Sequence, residues 1–119
     1  MDSNDALEHL LEVSDEVRVA VVVEGGEPVA SNVEEGEAVE EIAQVADAML
    51  AYASTLRRDV AVRQLQAVTR DGDVYVAREG DRVVVAVATS GSLAGLVRHD
   101  LRTLLTSLSR RRRSAAVHA

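Results

Sequence analysis

Apolar residues recur along this chain with two periods, and the two periods predict three helices and five strands. Three segments repeat apolar residues every three or four positions, as an amphipathic helix does: 3–13, 37–56 and 93–108. Five shorter segments, rich in valine, have the period of a strand: 17–24, 28–32, 60–69, 74–79 and 82–89. The predicted order is therefore helix, hairpin, helix, three-stranded meander and helix.

Glycine-containing turns separate these strands. The segment GGEP, residues 25–28, predicts a tight turn, because glycine tolerates positive φ and proline fixes a turn dihedral. The Asp71–Gly72 pair predicts a two-residue hairpin turn, and Gly80–Asp81 turns the chain again. We therefore expect strands 1 and 2 to pair, and strands 3, 4 and 5 to form a meander.

Two of the strands, 17–24 and 82–89, are apolar on both faces, which predicts central positions in a sheet that is covered on both sides. The order that satisfies this demand and the short turns is 2-1-5-4-3. We predict an α/β (α+β) fold with a five-stranded antiparallel sheet and helices on both faces.

In this order, the strand at 60–69 lies at an outer edge, and it contains neither proline nor lysine to blunt that edge. One interpretation is that the edge pairs with a second copy of the chain in a two-fold dimer. The residues expected to take part are Val60, Val62, Gln64 and Gln66. The alternative is that the chain's own C-terminal tail covers the edge.

The helix at 37–56 has an apolar arc of roughly 220°, wider than packing on one sheet requires. Its main stripe runs from Val39 to Leu56 and should face the sheet. Val45, Ala48 and Tyr52 flank the stripe, and tyrosine suits interfaces. Either these three contact another helix in a dimer, or the whole helix is deeply buried.

Composition fits one globular domain of 119 residues, 47% hydrophobic and 28% charged, with a net charge of −7. That charge argues against nucleic acid as a partner. The chain has no cysteine, no apolar run long enough for a membrane span and no signal peptide pattern, so we expect a cytoplasmic protein. We expect one domain over residues 1–109 and a disordered basic tail over 110–119, which contains Arg110 to Arg113.

No catalytic, cofactor-binding or metal-binding residue is predicted. His9, His99 and His118 have no partner at metal-ligand spacing. The segment GSLAG, residues 91–95, lacks the central serine of a nucleophile elbow, and Ser92 is expected to cap the last helix. A phosphate-binding loop of the GxxxxGK[ST] type is impossible without lysine.

The order of elements, with GGEPVAS, RDGDVYVAREGDRVVVAVAT and GSLAGLVRHDLRTLL, resembles prokaryotic members of the roadblock / dynein light-chain domain family. Members often have glycine before the first strand, where this chain has Asp15 and Glu16. The resemblance implies a profilin-like, non-enzymatic homodimer that regulates a small Ras-like GTPase. Glu41, Gln44 and Thr55 are the residues expected to contact that partner. The alternatives are a small-molecule sensor, with a pocket between the sheet and the last helix, and a scaffold subunit.

Overall fold

A computed structural model of the protein describes residues 2–33, 37–56 and 63–118, with side chains through Leu108. The elements occur in the predicted number and order: α1 (Ser3–Val13), β1 (Val17–Glu24), β2 (Glu27–Ser31), α2 (Glu37–Leu56), β3 (Gln64–Val68), β4 (Asp73–Glu79), β5 (Arg82–Ala88) and α3 (Ala94–His118). α1 begins with a reciprocal capping box between Asp2 and Asp5.

The five strands form one sheet in the order β2-β1-β5-β4-β3, and every neighbouring pair is antiparallel. The predicted fold class and strand order are thus confirmed. β1 and β5 lie at the centre, with Val21 opposite Val85 and Val22 opposite Val84. All four valines are almost completely buried, as strands that are apolar on both faces require.

The two faces of the sheet are filled by different combinations of side chains. Beneath α1 and α3 the strands contribute small residues such as Ala20, Ala77 and Ala86, and the helices contribute leucines such as Leu10 and Leu101. Beneath α2 the strands contribute valines, among them Val21, Val76 and Val85, and α2 contributes Ala46 together with Leu50.

The two outer hairpins turn by different means. At the β1–β2 turn, Gly25 and Gly26 have φ values of 59° and 84°, as the predicted tight turn requires. The predicted two-residue Asp-Gly turn between β3 and β4 is wrong, because Gly72 does not have positive φ and Val68 pairs with Asp73 across four loop residues. Gly72 is instead needed for close approach: a Cβ there would lie 2.8 Å from the carbonyl oxygen of Ala88.

α3 differs from its prediction at both ends. It continues to His118, so residues 110–118 of the expected disordered tail have helical backbone. Leu93 and Leu96 were placed in its buried stripe, but they are 60% and 58% exposed. Leu93 precedes the helix, and at 100° per residue Leu96 points about 140° away from Leu101.

Candidate functional site

One side of α2 carries apolar side chains that nothing in the described chain covers. Val45 is 53% exposed and Tyr52 is 69% exposed, and Ala48 between them is also exposed. Deep burial of the whole helix is therefore excluded. Leu56, which was expected to pack on the sheet, is 66% exposed and extends the same side of the helix. We call Val45, Ala48, Tyr52 and Leu56 the α2 flank.

β3 lies at the edge of the sheet beside this helix. Within the described residues it pairs only with β4, and Val68 at its end is 74% exposed. The opposite edge strand, β2, contains Pro28. Proline has no backbone N–H to donate, and it is a common means of preventing an edge strand from pairing with another chain. The C-terminal residues do not add a strand to the β3 edge, because they are helical. Val60 and Val62, the first two residues of the predicted interface, lie outside the described residues.

The two glutamines of β3 have surroundings that the sequence did not predict. Gln66 Nε2 donates a hydrogen bond to the Tyr75 hydroxyl at 3.3 Å, so the Gln66 side chain lies on the α3 face of the sheet. Gln64 lies on the same face, two residues earlier in the strand. The Gln66 side chain thus has a hydrogen bond within its own subunit. The dimer contact predicted for both glutamines stays a prediction.

A buried polar network continues from Gln66 towards the start of α3. The Tyr75 hydroxyl and Ser92 Oγ are 2.7 Å apart, and Ser92 Oγ donates to Asp73 Oδ2 at 3.0 Å. Because Ser92 donates its proton to Asp73, Tyr75 donates to Ser92 and can accept from Gln66. Asp73 is 2% exposed, and its Oδ1 has no hydrogen-bond partner among the described residues.

This network replaces the predicted cap at the start of α3. Ser92 does not cap the helix, since its hydroxyl is engaged with Tyr75 and Asp73. The carboxylate of Glu16 takes that place and accepts a hydrogen bond from the backbone N–H of Leu93 at 2.8 Å. A negative side chain at a helix N-terminus is favourable. Glu16 is 77 residues from Leu93 in sequence, and no local pattern could have indicated this contact.

The three residues expected to contact a partner, Glu41, Gln44 and Thr55, are all exposed on α2. Thr55 Oγ1 donates to the carbonyl oxygen of Tyr52 at 2.6 Å, within the last turn of the helix. Gln44 lines a groove of about 300 Å³ between α2 and the β1–β2 hairpin. The structure thus places these residues on the outer surface of α2, and their contact with a partner stays a prediction.

Side chains that could bind a metal ion do not cluster in the described ranges. No three His, Cys, Asp or Glu side chains in residues 2–33, 37–56 and 63–118 could hold a metal ion. His9 and His99 line one groove of about 180 Å³ between α1 and α3, a proximity that the sequence did not predict. No helix of the described chain is both long and apolar enough to cross a membrane.

The fold is similar to solved structures, although no family model and no curated protein matches the sequence. A Roadblock/LC7 domain from Streptomyces avermitilis has a TM-score of 0.81 at 14% identity, over 93% of this chain and 98% of that one. MglB from Myxococcus xanthus has a TM-score of 0.79 at 16% identity, over 94% and 95%. Acanthamoeba castellanii profilin IA has a TM-score of 0.67 at 12% identity, over 92% and 98%. The chain thus has a prokaryotic roadblock-type, profilin-like fold, as its sequence predicted.

Proposed function

We propose that the protein is a non-enzymatic, cytoplasmic homodimer that acts as an adaptor: it binds a small Ras-like GTPase and modulates its nucleotide state or its location. The observation that carries the proposal is the exposed α2 flank, together with a β3 edge that pairs only with β4 in the described part of the chain. An exposed apolar patch and an open strand edge are each unfavourable for a soluble monomer, and both are typical of interaction sites.

The α2 flank and the β3 edge suit a two-fold interface. Val45 and Tyr52 are each more than half exposed on one side of a 20-residue helix. A two-fold axis places the same patch of both copies in contact, so the flank of one copy covers the flank of the other. The same axis can bring the two β3 strands together and extend the sheet across both subunits.

Regulation of a GTPase is supported by the likeness of the fold to roadblock domains and by the outer surface of α2. Pairing of the flanks would place the two α2 helices side by side and expose Glu41 and Thr55 of both copies on one surface. Such a surface can act by holding the mobile loops of a GTPase in one conformation. It would do so without a nucleotide site of its own, since the chain contains no lysine for a phosphate-binding loop.

Molar mass by light scattering after size exclusion tests the dimer. In molar salt, which screens contacts between charged surfaces, we expect the mass of two 12.7 kDa chains for the native protein and of one chain for the double variant Val45→Arg/Tyr52→Arg, since burying two arginines without partners is unfavourable. The matched control is Val13→Arg/Leu96→Arg, which changes two exposed apolar residues elsewhere and should leave the dimer intact. A monomeric native protein would refute the proposed dimer.

Binding of the GTPase is tested with purified small Ras-like GTPases from the same genome, loaded with GDP or with a non-hydrolysable GTP analogue. The expected result is nucleotide-dependent binding by calorimetry and a changed rate of GTP hydrolysis or exchange. The variant Glu41→Arg/Thr55→Arg should remain dimeric and lose binding. If none of these GTPases binds the confirmed dimer, the GTPase role is wrong and the dimer is a scaffold for other partners.

A small-molecule sensor is the second candidate, because an open groove of about 800 Å³ lies between the β3–β4 end of the sheet and α3. Its walls include Gln64, Arg102 and Thr106, and no aromatic residue lines it, so a ligand would have little to stack on. A metabolite screen by thermal shift distinguishes the two functions. A ligand that raises the melting temperature through this groove, and is blocked by Arg102→Glu, would favour the sensor.

A further inference from the structure

The groove between α2 and the β1–β2 hairpin combines an apolar floor with an acidic rim. Its volume is about 300 Å³, and Val23, Ala46 and Val83 contribute to the floor. Three carboxylates stand around it, those of Glu27, Glu40 and Asp47. Among the described residues, no arginine lines it. The groove therefore has the shape and charge to receive a cationic segment with some apolar surface.

The fold itself does not account for this grouping of negative charge. None of the three carboxylates forms an ion pair or a side-chain hydrogen bond within the described residues. The dipole of α2 can favour Glu40, near the helix N-terminus, but not Asp47 two turns later or Glu27 on β2. Like charges that face one groove repel each other, and a bound cation would relieve that repulsion.

The chain also contains a segment with the complementary chemistry. α3 continues ten residues beyond Leu108, and this extension includes Arg110 to Arg113. These four arginines leave 9 basic and 20 acidic residues in the rest of the chain, a charge of −11 against +4. The apolar residues Ala115, Ala116 and Val117 follow the arginines.

α3 and the groove of one copy lie on opposite faces of the sheet. α3 packs on the face of the sheet that also carries α1, whereas the groove lies on the α2 face. A continuous helix on one face does not lead its C-terminal residues around the sheet to the other face. A different copy of the chain can therefore supply the segment that binds the groove.

We propose that the groove binds residues 109–118 of α3 from a second copy of this chain. Guanidinium groups form paired hydrogen bonds with carboxylates, and the apolar residues after them meet the floor. Helical periodicity places Glu40 and Asp47 roughly 120° to 160° around α2 from Val45 and Tyr52. The contact is thus separate from the proposed dimer interface, and together the two would join copies into assemblies larger than a dimer.

Complementary charge reversal tests the proposal in the full-length protein. The groove variant is Glu40→Arg/Asp47→Arg, and the segment variant is Arg111→Glu/Arg112→Glu. Light scattering of the native protein at low salt should show a mass that rises above the dimer with concentration and falls back in molar salt. Each variant alone should lose this association by roughly tenfold or more in affinity. An equal mixture of the two should regain it, because each then offers the charge that the other lacks.

The matched control is Glu8→Arg/Glu12→Arg, which reverses two exposed carboxylates on α1. It should associate like the native protein, because it leaves both the groove and the arginine segment unchanged. Circular dichroism melts establish that each variant is folded. The Val45→Arg/Tyr52→Arg variant should still associate through the groove, so failure of the proposed dimer and failure of this contact are distinguishable.

Three results would overturn the proposal. The native protein could have the same mass at every concentration in low salt as it has in molar salt. The groove variant could associate as strongly as the native protein. The mixture could fail to regain association although both variants are folded, which would mean that the arginines act within one copy or on another partner, such as an anionic membrane.

Discussion

The face of the sheet beneath α1 and α3 and the face beneath α2 differ in how the exposed apolar side chains of their helices are grouped. Tyr75 and Val97 are 0% exposed on the first face, and Leu101 is 1% exposed. Val13 and Leu96, which are more than half exposed, belong to different helices of that face. Beneath α2 the buried side chains are packed in the same way, but the α2 flank groups its exposed apolar residues on one side of a single helix, with Tyr52 at 69% exposure.

This difference separates residues that stabilise one subunit from residues that are available for association. We call the face beneath α1 and α3 the closed face, and its buried side chains contribute to the free energy of unfolding of one subunit. Exposed apolar side chains of the α2 flank add little to that free energy and are available for association. Paired substitutions of one residue type, one buried and one exposed, can test this division.

The largest effect is expected at Leu101. Leu101→Ala should lower the free energy of unfolding by about 2–5 kcal/mol, because it removes buried contacts and leaves a cavity. Leu96→Ala on the same helix is the control, since Leu96 is 58% exposed, and it should stay within about 0.5 kcal/mol of the native value. Urea unfolding at one protein concentration measures both. Equal losses would contradict the closed packing of this face.

The second-largest effect on the free energy of unfolding is expected at Gly72, where the backbone of the β3–β4 loop lies close to the backbone of β5. A Cβ at residue 72 would lie 2.8 Å from the Ala88 carbonyl oxygen, so Gly72→Ala should lower the free energy of unfolding by about 1–3 kcal/mol. The control is Gly95→Ala in α3, where a Cβ would meet nothing within 4 Å. That change should be neutral or stabilising, because alanine favours a helix. A neutral Gly72→Ala would show that the loop can move away from β5.

The sequence predicted the sheet order because the relevant signals are local and strong. The valine runs of β1 and β5 indicate burial on both faces, and short turns fix which strands are neighbours. The periodicity of α2 likewise predicted that Val45 and Tyr52 lie outside the main stripe. These signals need only the period of a strand or helix and the length of a turn.

Features that depend on distant contacts were not predictable. Ser92 has the local pattern of a helix cap, but its hydroxyl bonds Asp73 and Tyr75, because the sheet places these groups beneath the start of α3. Gly72 follows an aspartate as in a hairpin turn, yet the approach of β5 decides its role. Arg110 to Arg113 suggested a tail by charge alone, although nothing in their sequence stops a helix.

The two tyrosines provide a smaller and more specific comparison. Tyr75→Phe removes a hydroxyl that hydrogen-bonds Ser92 and Gln66, and it should lower the free energy of unfolding by about 1–2 kcal/mol. Tyr52→Phe removes a hydroxyl from a side chain that is 69% exposed and should leave the unfolding of one subunit unchanged. Chemical denaturation measures both variants. A neutral Tyr75→Phe would mean that the buried network does not stabilise the closed face.

The smallest effect concerns the carboxylate that caps α3. Glu16 accepts a hydrogen bond from the Leu93 backbone N–H at 2.8 Å, so Glu16→Ala should lower the free energy of unfolding by about 0.5–1 kcal/mol. Glu12→Ala, an exposed glutamate of α1, is the control and should be near neutral. Hydrogen exchange at the first amides of α3 provides a local measurement, since loss of the cap should speed exchange there and not in α1. Unchanged exchange in Glu16→Ala would show that the closed face holds the start of α3 by packing alone.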